Sequence, residues 1–119
     1  MLQPDAEYRS FLAAGRFMLQ RTAEGRHVFY PRVAEPGTGA ALQWVPADGR
    51  GSVYSVTVVR AKPPAVQRNV ALIDLVEGVR LMSRVDGMAS EDVRIGMPVV
   101  AKIVVENDVP LLVFVPQVQ

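Results

Sequence analysis

The sequence predicts a mainly β fold: a five-stranded OB-fold barrel, preceded by an N-terminal helix and a degenerate, metal-free segment laid out like a zinc ribbon. Three observations carry this. From Gly51 to Pro116 the chain is rich in β-branched residues, in five short runs whose apolar residues alternate. One longer excursion, containing "SEDVRIG", separates the third and fourth runs. That spacing suits an OB-fold, and closing a small barrel removes exposed sheet edges. Ahead of the barrel, "RTAEGRHVFYPRVAEPGTG" (Arg21 to Gly39) sets a turn on each side of a short apolar strand, the layout of a ribbon, yet the chain has no cysteine.

The elements follow in order. Pro4-Asp5 offers a helix cap, Tyr8, Phe11, Leu12 and Gly15 recur at helical spacing, and Gly15 is a natural stop. A helix of about three turns is too short to stand alone in water, so it must pack on something. "RFMLQR", "RHVFYPR" and "ALQWVPADGRG" read as three short strands, with Trp44 packing the ribbon against the barrel. In the first barrel strand Tyr54, Val56 and Val58 share a face, with Tyr54 in the core. Ala71, Ile73 and Leu75 follow on the second, and Val79, Leu81 and Val85 on the third. The fourth places Val99, Ala101, Ile103 and Val105 together, and Asn107-Asp108 turns into the fifth. Ile73 and Leu81 should lie inside the barrel, and Lys102 and Arg80 outside it. The division is residues 1–47 for helix and ribbon, and 48–119 for the barrel.

Composition narrows the function classes. Half of the 119 residues are hydrophobic, enough for one packed domain. Every long apolar window is broken by charge or proline, as in "VVAKIVVENDVPLLVFVP", and "MLQPDAEYRS" is unlike a signal peptide. The expectation is a cytoplasmic protein without a membrane segment. Without cysteine there is no disulfide, no thiol catalysis and no thiolate-bound metal. The formal net charge is +1, but residues 1–68 carry nine Lys/Arg against five Asp/Glu, and residues 69–119 carry four against seven. The basic half is almost all arginine, which suits forked contact with phosphate or carboxylate. A dedicated nucleic-acid binder would show a denser basic patch.

Individual residues give little sign of catalysis. His27 is the sole histidine and no nucleophile-elbow motif accompanies it, so it reads as a surface or packing residue. Asp74 falls opposite Ile73 and Leu75, which makes it a solvent-facing or partner-facing carboxylate. "GRG" at Gly49–Gly51 lacks the ending and the following helix of a phosphate loop. Phe29, Trp44 and Tyr54 are aromatic residues of a kind that stack bases on single-strand-binding OB-folds.

Taken together, "GRGSVYSVTVVR", "NVALIDLVEGVRLMSRV", "DVRIGMPV" and "PLLVFVP", in this order behind a helix and a ribbon, resemble an acyl-CoA-associated family once known only as a domain of unknown function. Its members join a rubredoxin-like zinc ribbon to an OB-fold, and the resemblance spans nearly the whole chain. The family's two Cys-x-x-Cys pairs fall here on Thr22 and Gly25, then on Glu35 and Thr38, so all four ligands are replaced. The resemblance therefore implies a ribbon without zinc, held by apolar packing of Val28, Phe29, Tyr30 and Trp44.

It also implies a role. Family members resemble adaptors that associate with thiolase-like or hot-dog hydratase-like enzymes and help shape the channel in which coenzyme A lies. By that analogy the chain is a non-catalytic partner of an acyl-CoA enzyme, with no tightly bound cofactor and a coenzyme A thioester as candidate ligand. Arg60, Lys62 and Arg68 bracket the loop "RAKPPAVQR", stiffened by Pro63-Pro64, and are the candidate contacts for the CoA phosphates. The other reading is that they are ordinary solvated charges. Tyr8, Phe11, Leu12, Phe29 and Tyr30 form the candidate docking surface, for the enzyme or for a second copy in a homodimer. The alternative function is an OB-fold nucleic-acid-binding protein.

Overall fold

The computed structural model describes residues 3–60, 62 and 68–117. Helix α1 spans Pro4–Ala13. It starts differently from the expected Pro4-Asp5 cap: Gln3 is the N-cap and makes no side-chain capping bond. Pro4 sits in the first turn, where its missing N–H costs nothing, and Asp5 and Glu7 face the positive end of the helix dipole. The helix ends as expected. Gly15 takes φ +78°, the Arg16 N–H bonds back to the Phe11 carbonyl (2.8 Å) and the Gly15 N–H to that of Leu12 (2.9 Å).

Strands β1 (Met18–Arg21), β2 (His27–Val28) and β3 (Gln43–Pro46) form an antiparallel sheet in the order β2-β1-β3. Trp44 packs against α1 rather than the barrel. It lies 6.4 Å from Tyr8 and 5.3 Å from Phe11, centroid to centroid, and its Nε1–H donates to Glu7 Oε2 at 3.1 Å. Leu19 of β1, by contrast, is buried in the same cluster as the barrel core.

The second sheet holds β4 (Arg50–Val59), β5 (Arg68–Leu75), β6 (Arg80–Ser83), β7 (Pro98–Glu106) and β8 (Val109–Pro116), in the order β6-β5-β4-β7-β8. The excursion between β6 and β7 contains one turn of 3₁₀ helix, Ser90–Asp92. The sheet curls until its ends meet in a parallel bridge between Val85 and Phe114. There the Phe114 N–H bonds to the Arg84 carbonyl (3.0 Å), and the Asp86 N–H to the Phe114 carbonyl (2.7 Å). At the tip of the β7–β8 hairpin, Asn107 and Asp108 both take positive φ, as a two-residue turn matched to strand twist requires. The boundary expected between residues 47 and 48 falls in the connection between the two sheets.

Most expected faces appear. Ala71, Ile73, Leu75, Leu81, Val85 and Val99 are buried, and Lys102 is exposed. Two assignments need correction. Tyr54 is 48% exposed, because a register shift between Val53 and Ser55 inserts one residue and puts Val53 in the core instead. Val105 is 69% exposed, because β7 runs on beyond the barrel core. Gly51 also has its reason here: a Cβ would sit 2.5 Å from the Asp74 carbonyl oxygen, so only glycine lets β4 lie this close to β5.

Candidate functional site

Four of the five residues expected to dock a partner come together. Tyr8 and Leu12 of α1, and Phe29 and Tyr30 after β2, line a groove of about 580 Å³ with Pro31, Leu81, Met82 and the Val109–Leu112 stretch of β8. Phe11 does not join them; it faces Trp44, with the Arg16 guanidinium 5.5 Å from its ring centroid. The Phe29 ring bridges Tyr8 (5.6 Å) and Tyr30 (4.6 Å), which ties ribbon to helix. Burial pushes the Tyr8 hydroxyl up to about 12, so it stays a neutral phenol at physiological pH. Tyr30, Met82 and Val109 are exposed at the rim. Beside the groove the Ser83 hydroxyl of β6 donates to the Leu112 carbonyl of β8 (2.9 Å).

The ribbon is closed by a polar clasp as well as by aromatic packing. Arg26 donates through Nε to Glu35 Oε2 (2.8 Å) and through Nη2 to Glu35 Oε1 (2.9 Å), and the Thr38 hydroxyl donates to the same carboxylate. Thr22 is buried and its Oγ1 accepts the Arg26 N–H at 3.1 Å. The Gln20 side chain joins the Arg32 backbone twice, both bonds 2.6 Å. Zinc does not fit here. The four ligand-equivalent positions offer two hydroxyls, a glycine and one carboxylate that Arg26 already engages, whereas structural zinc needs four N or S donors. Among the described residues no group of three or more His, Cys, Asp or Glu could hold a metal ion.

The clasp has a testable acid limit. Hydrogen bonds from Arg26 and then Thr38 hold the Glu35 carboxyl down at about 2, against a usual value of 4.5. A carboxyl depressed in the folded state stabilises it fully above its unfolded value, and that contribution fades as pH falls from 4.5 towards 2. We expect amide exchange across residues 22–40 to accelerate through that window, and Glu35→Gln to remove the pH-dependent part. A chelator should leave the melting temperature unchanged. One zinc per chain by elemental analysis, or an acid response indifferent to Glu35→Gln, would overturn this.

The candidate cationic residues lie at the end of the β4–β5 hairpin where the chain passes from β4 to β5. Val59 pairs with Arg68, so Arg60 and Arg68 leave adjacent strands side by side, and exposed Lys62 follows. Pro63 and Pro64 lie outside the described residues. Arg68 also lines a hollow of about 300 Å³ with Asn69, Arg84, Ser90 and Glu106. Arg84 is committed there, bound to Asp86 (2.9 Å) and to Glu106, and this pairing lowers the Glu106 carboxyl below its ordinary value. Asp74 faces outward and pairs with Arg80 at 2.6 Å, and the Arg80 guanidinium lies 3.4 Å over the Tyr54 ring. His27 sits in β2, on the ribbon.

The curled five-stranded sheet, preceded by an N-terminal helix and a three-stranded ribbon, defines an OB-fold module. The chain belongs to the ChsH2 C-terminal OB-fold domain family, whose model matches residues 44–104. It is 37% identical over 90 residues to a probable enoyl-CoA hydratase alpha subunit of Thermomonospora curvata. It is 37% identical over 91 residues to the 3-oxo-4,17-pregnadiene-20-carboxyl-CoA hydratase alpha subunit of Mycobacterium tuberculosis. These alignments cover 71% and 72% of this chain but 28% and 29% of the relatives, so the chain spans less than a third of their length. A solved chain described as "Ltp2-ChsH2(DUF35) aldolase" matches 99% of this chain and 98% of its own, with TM-score 0.85 and 31% identity. Among the described residues no helix is long and apolar enough to cross a membrane.

Proposed function

We propose that this chain is a non-catalytic partner subunit of an acyl-CoA enzyme, thiolase-like or hydratase-like. In that role the helix–ribbon groove docks the enzyme, and Arg60, Lys62 and Arg68 lie towards the phosphates of coenzyme A. The observation that carries it is the groove itself: Tyr8, Leu12, Phe29 and Tyr30 meet β6 and β8 in one open apolar depression, of a kind that marks interaction sites. The names of the relatives support it, since two are hydratase alpha subunits and the solved chain is part of an aldolase. The chain needs no bound cofactor or zinc for this role. Coenzyme A would be shared with the enzyme, its pyrophosphate and ribose phosphate meeting guanidinium forks.

Co-expression with a candidate acyl-CoA enzyme, thiolase-like or hydratase-like, tests this, read by size exclusion with light scattering. A stable complex is expected, and Tyr30→Asp should weaken it by at least about tenfold. Arg68→Glu should leave the complex intact but weaken its affinity for coenzyme A. A chain that remains free of the enzyme would defeat the proposal. The nucleic-acid alternative predicts salt-sensitive retention on single-stranded oligonucleotide. Arg80 covers one face of Tyr54, which leaves that ring poorly placed to stack a base.

A further inference from the structure

Among the described residues, two backbone groups of the groove have no hydrogen-bond partner. β7 and β8 pair without a break from Val99↔Pro116 to Glu106↔Val109, so alternate residues of β8 turn their N–H and C=O away from β7. Phe114 belongs to the outward set, because its N–H and C=O bond to Arg84 and Asp86. By the same alternation Leu112 and Pro110 face outward. The Leu112 carbonyl is taken by Ser83, and Pro110 has no N–H to offer. The Leu112 N–H and the Pro110 carbonyl remain, and neither has a hydrogen-bond partner among the described residues. Both residues line the groove, half-buried, opposite Leu81 and Met82 of β6.

We propose that the groove takes up an extended segment of the partner polypeptide as an added β strand, bonded to the Leu112 N–H and the Pro110 carbonyl. Strand addition satisfies an open sheet edge through main-chain bonds, and flanking pockets select alternate side chains. Here the inward set would meet Leu12, Phe29, Leu81 and Leu112. The outward set would meet the rim, where Asp5 and Arg9 stand one helical turn apart on α1, both exposed and neither with an ion-pair partner among the described residues. The segment that complements this rim carries an acidic residue for Arg9 and a basic one for Asp5. A second folded copy does not suit the edge. Its own Pro110–Leu112 edge is equally recessed, and two recessed edges cannot meet; a segment free of its own sheet can enter. This mode of docking rests on the chain being a partner subunit, and adds how the partner is held.

The test uses the full ¹⁵N-labelled chain and a library of capped hexapeptides that alternate Val or Leu with Glu, Lys or Thr. A binding peptide should slow exchange of the Leu112 amide by about tenfold or more, the equivalent of one net hydrogen bond. N-methylating the backbone of that peptide, with its side chains kept, should abolish binding. Arg9→Glu should shift preference at the facing position from Glu to Lys. Leu112→Pro removes the free N–H without removing a bond to β7, and should abolish binding; if that variant misfolds, the N-methyl peptide and the amide exchange decide. The inference is overturned if no peptide binds at millimolar concentration, if the N-methylated peptide binds equally, or if a bound peptide leaves the Leu112 amide unchanged. No enzyme enters these measurements, so loss of strand addition and loss of the enzyme partnership would be seen separately.

Discussion

Phe114→Ala is expected to destabilise the protein by about 3–5 kcal/mol, the range for a fully buried aromatic truncation. Phe114 has 0% exposure and lies in the core with Leu19, Ile73, Leu81 and Val85. It is also the residue at which the sheet closes, since its backbone makes both bonds to the Arg84–Asp86 segment. Removing the ring leaves a cavity directly beneath that closure, where the surrounding strands have little freedom to collapse. A domain of this size is stable by only about 5–15 kcal/mol, so the variant keeps a fraction of its margin. The melting temperature should fall by roughly 10–20 °C, measured by calorimetry. Lys102→Ala, on the exposed face, should stay within about 0.5 kcal/mol of the parent. A Phe114→Ala variant as stable as Lys102→Ala would mean that the core is not where it is described.

Asn69→Ala should cost roughly 2–5 kcal/mol, although it removes only a small side chain. Asn69 is 6% exposed and serves as a bracket. Its Oδ1 accepts the Val85 N–H (2.8 Å), and its Nδ2 donates to the Val85 carbonyl (2.9 Å) and to Ser90 Oγ (3.0 Å). Val85 is itself 1% exposed, so truncation strands a buried N–H and a buried C=O. Each such group costs about 1–3 kcal/mol when left unmade. The same bracket ties β5 to the start of the β6–β7 excursion, so amide exchange at Val85 should accelerate well beyond the global change. Equal acceleration throughout the barrel would show that the bracket has no local role.

Asn69 shows where sequence reading stops. It opens "NVALIDLV", whose alternation placed Ala71, Ile73 and Leu75 inside and Asp74 outside, and the strand has those faces. Nothing in the run shows that the Asn69 amide will meet Val85, sixteen residues on. The ribbon clasp was hidden in the same way. Arg26 and Glu35 each stand beside a turn, nine residues apart, and only the path of the chain between those turns brings guanidinium to carboxylate. Opposite charges flanking the two ligand-equivalent turns were the available signal.

The element order, the five-strand barrel and its core phase in β5 and β6, the helix stop at Gly15 and the Asn107-Asp108 turn were all legible in the residues alone. These depend on local rules: side-chain periodicity and the few residues that tolerate positive φ. The rest depends on how elements distant in the chain meet. Tyr54 left the core because a strand's phase depends on how it pairs with its neighbour, and one inserted residue reverses it. The groove draws Tyr8, Tyr30, Met82 and Leu112 from four separate parts of the chain, around an edge that exists only because the curled sheet meets itself at Phe114 and stays open beside Leu112. Such a site is made by contacts between elements distant in sequence, which no local pattern encodes.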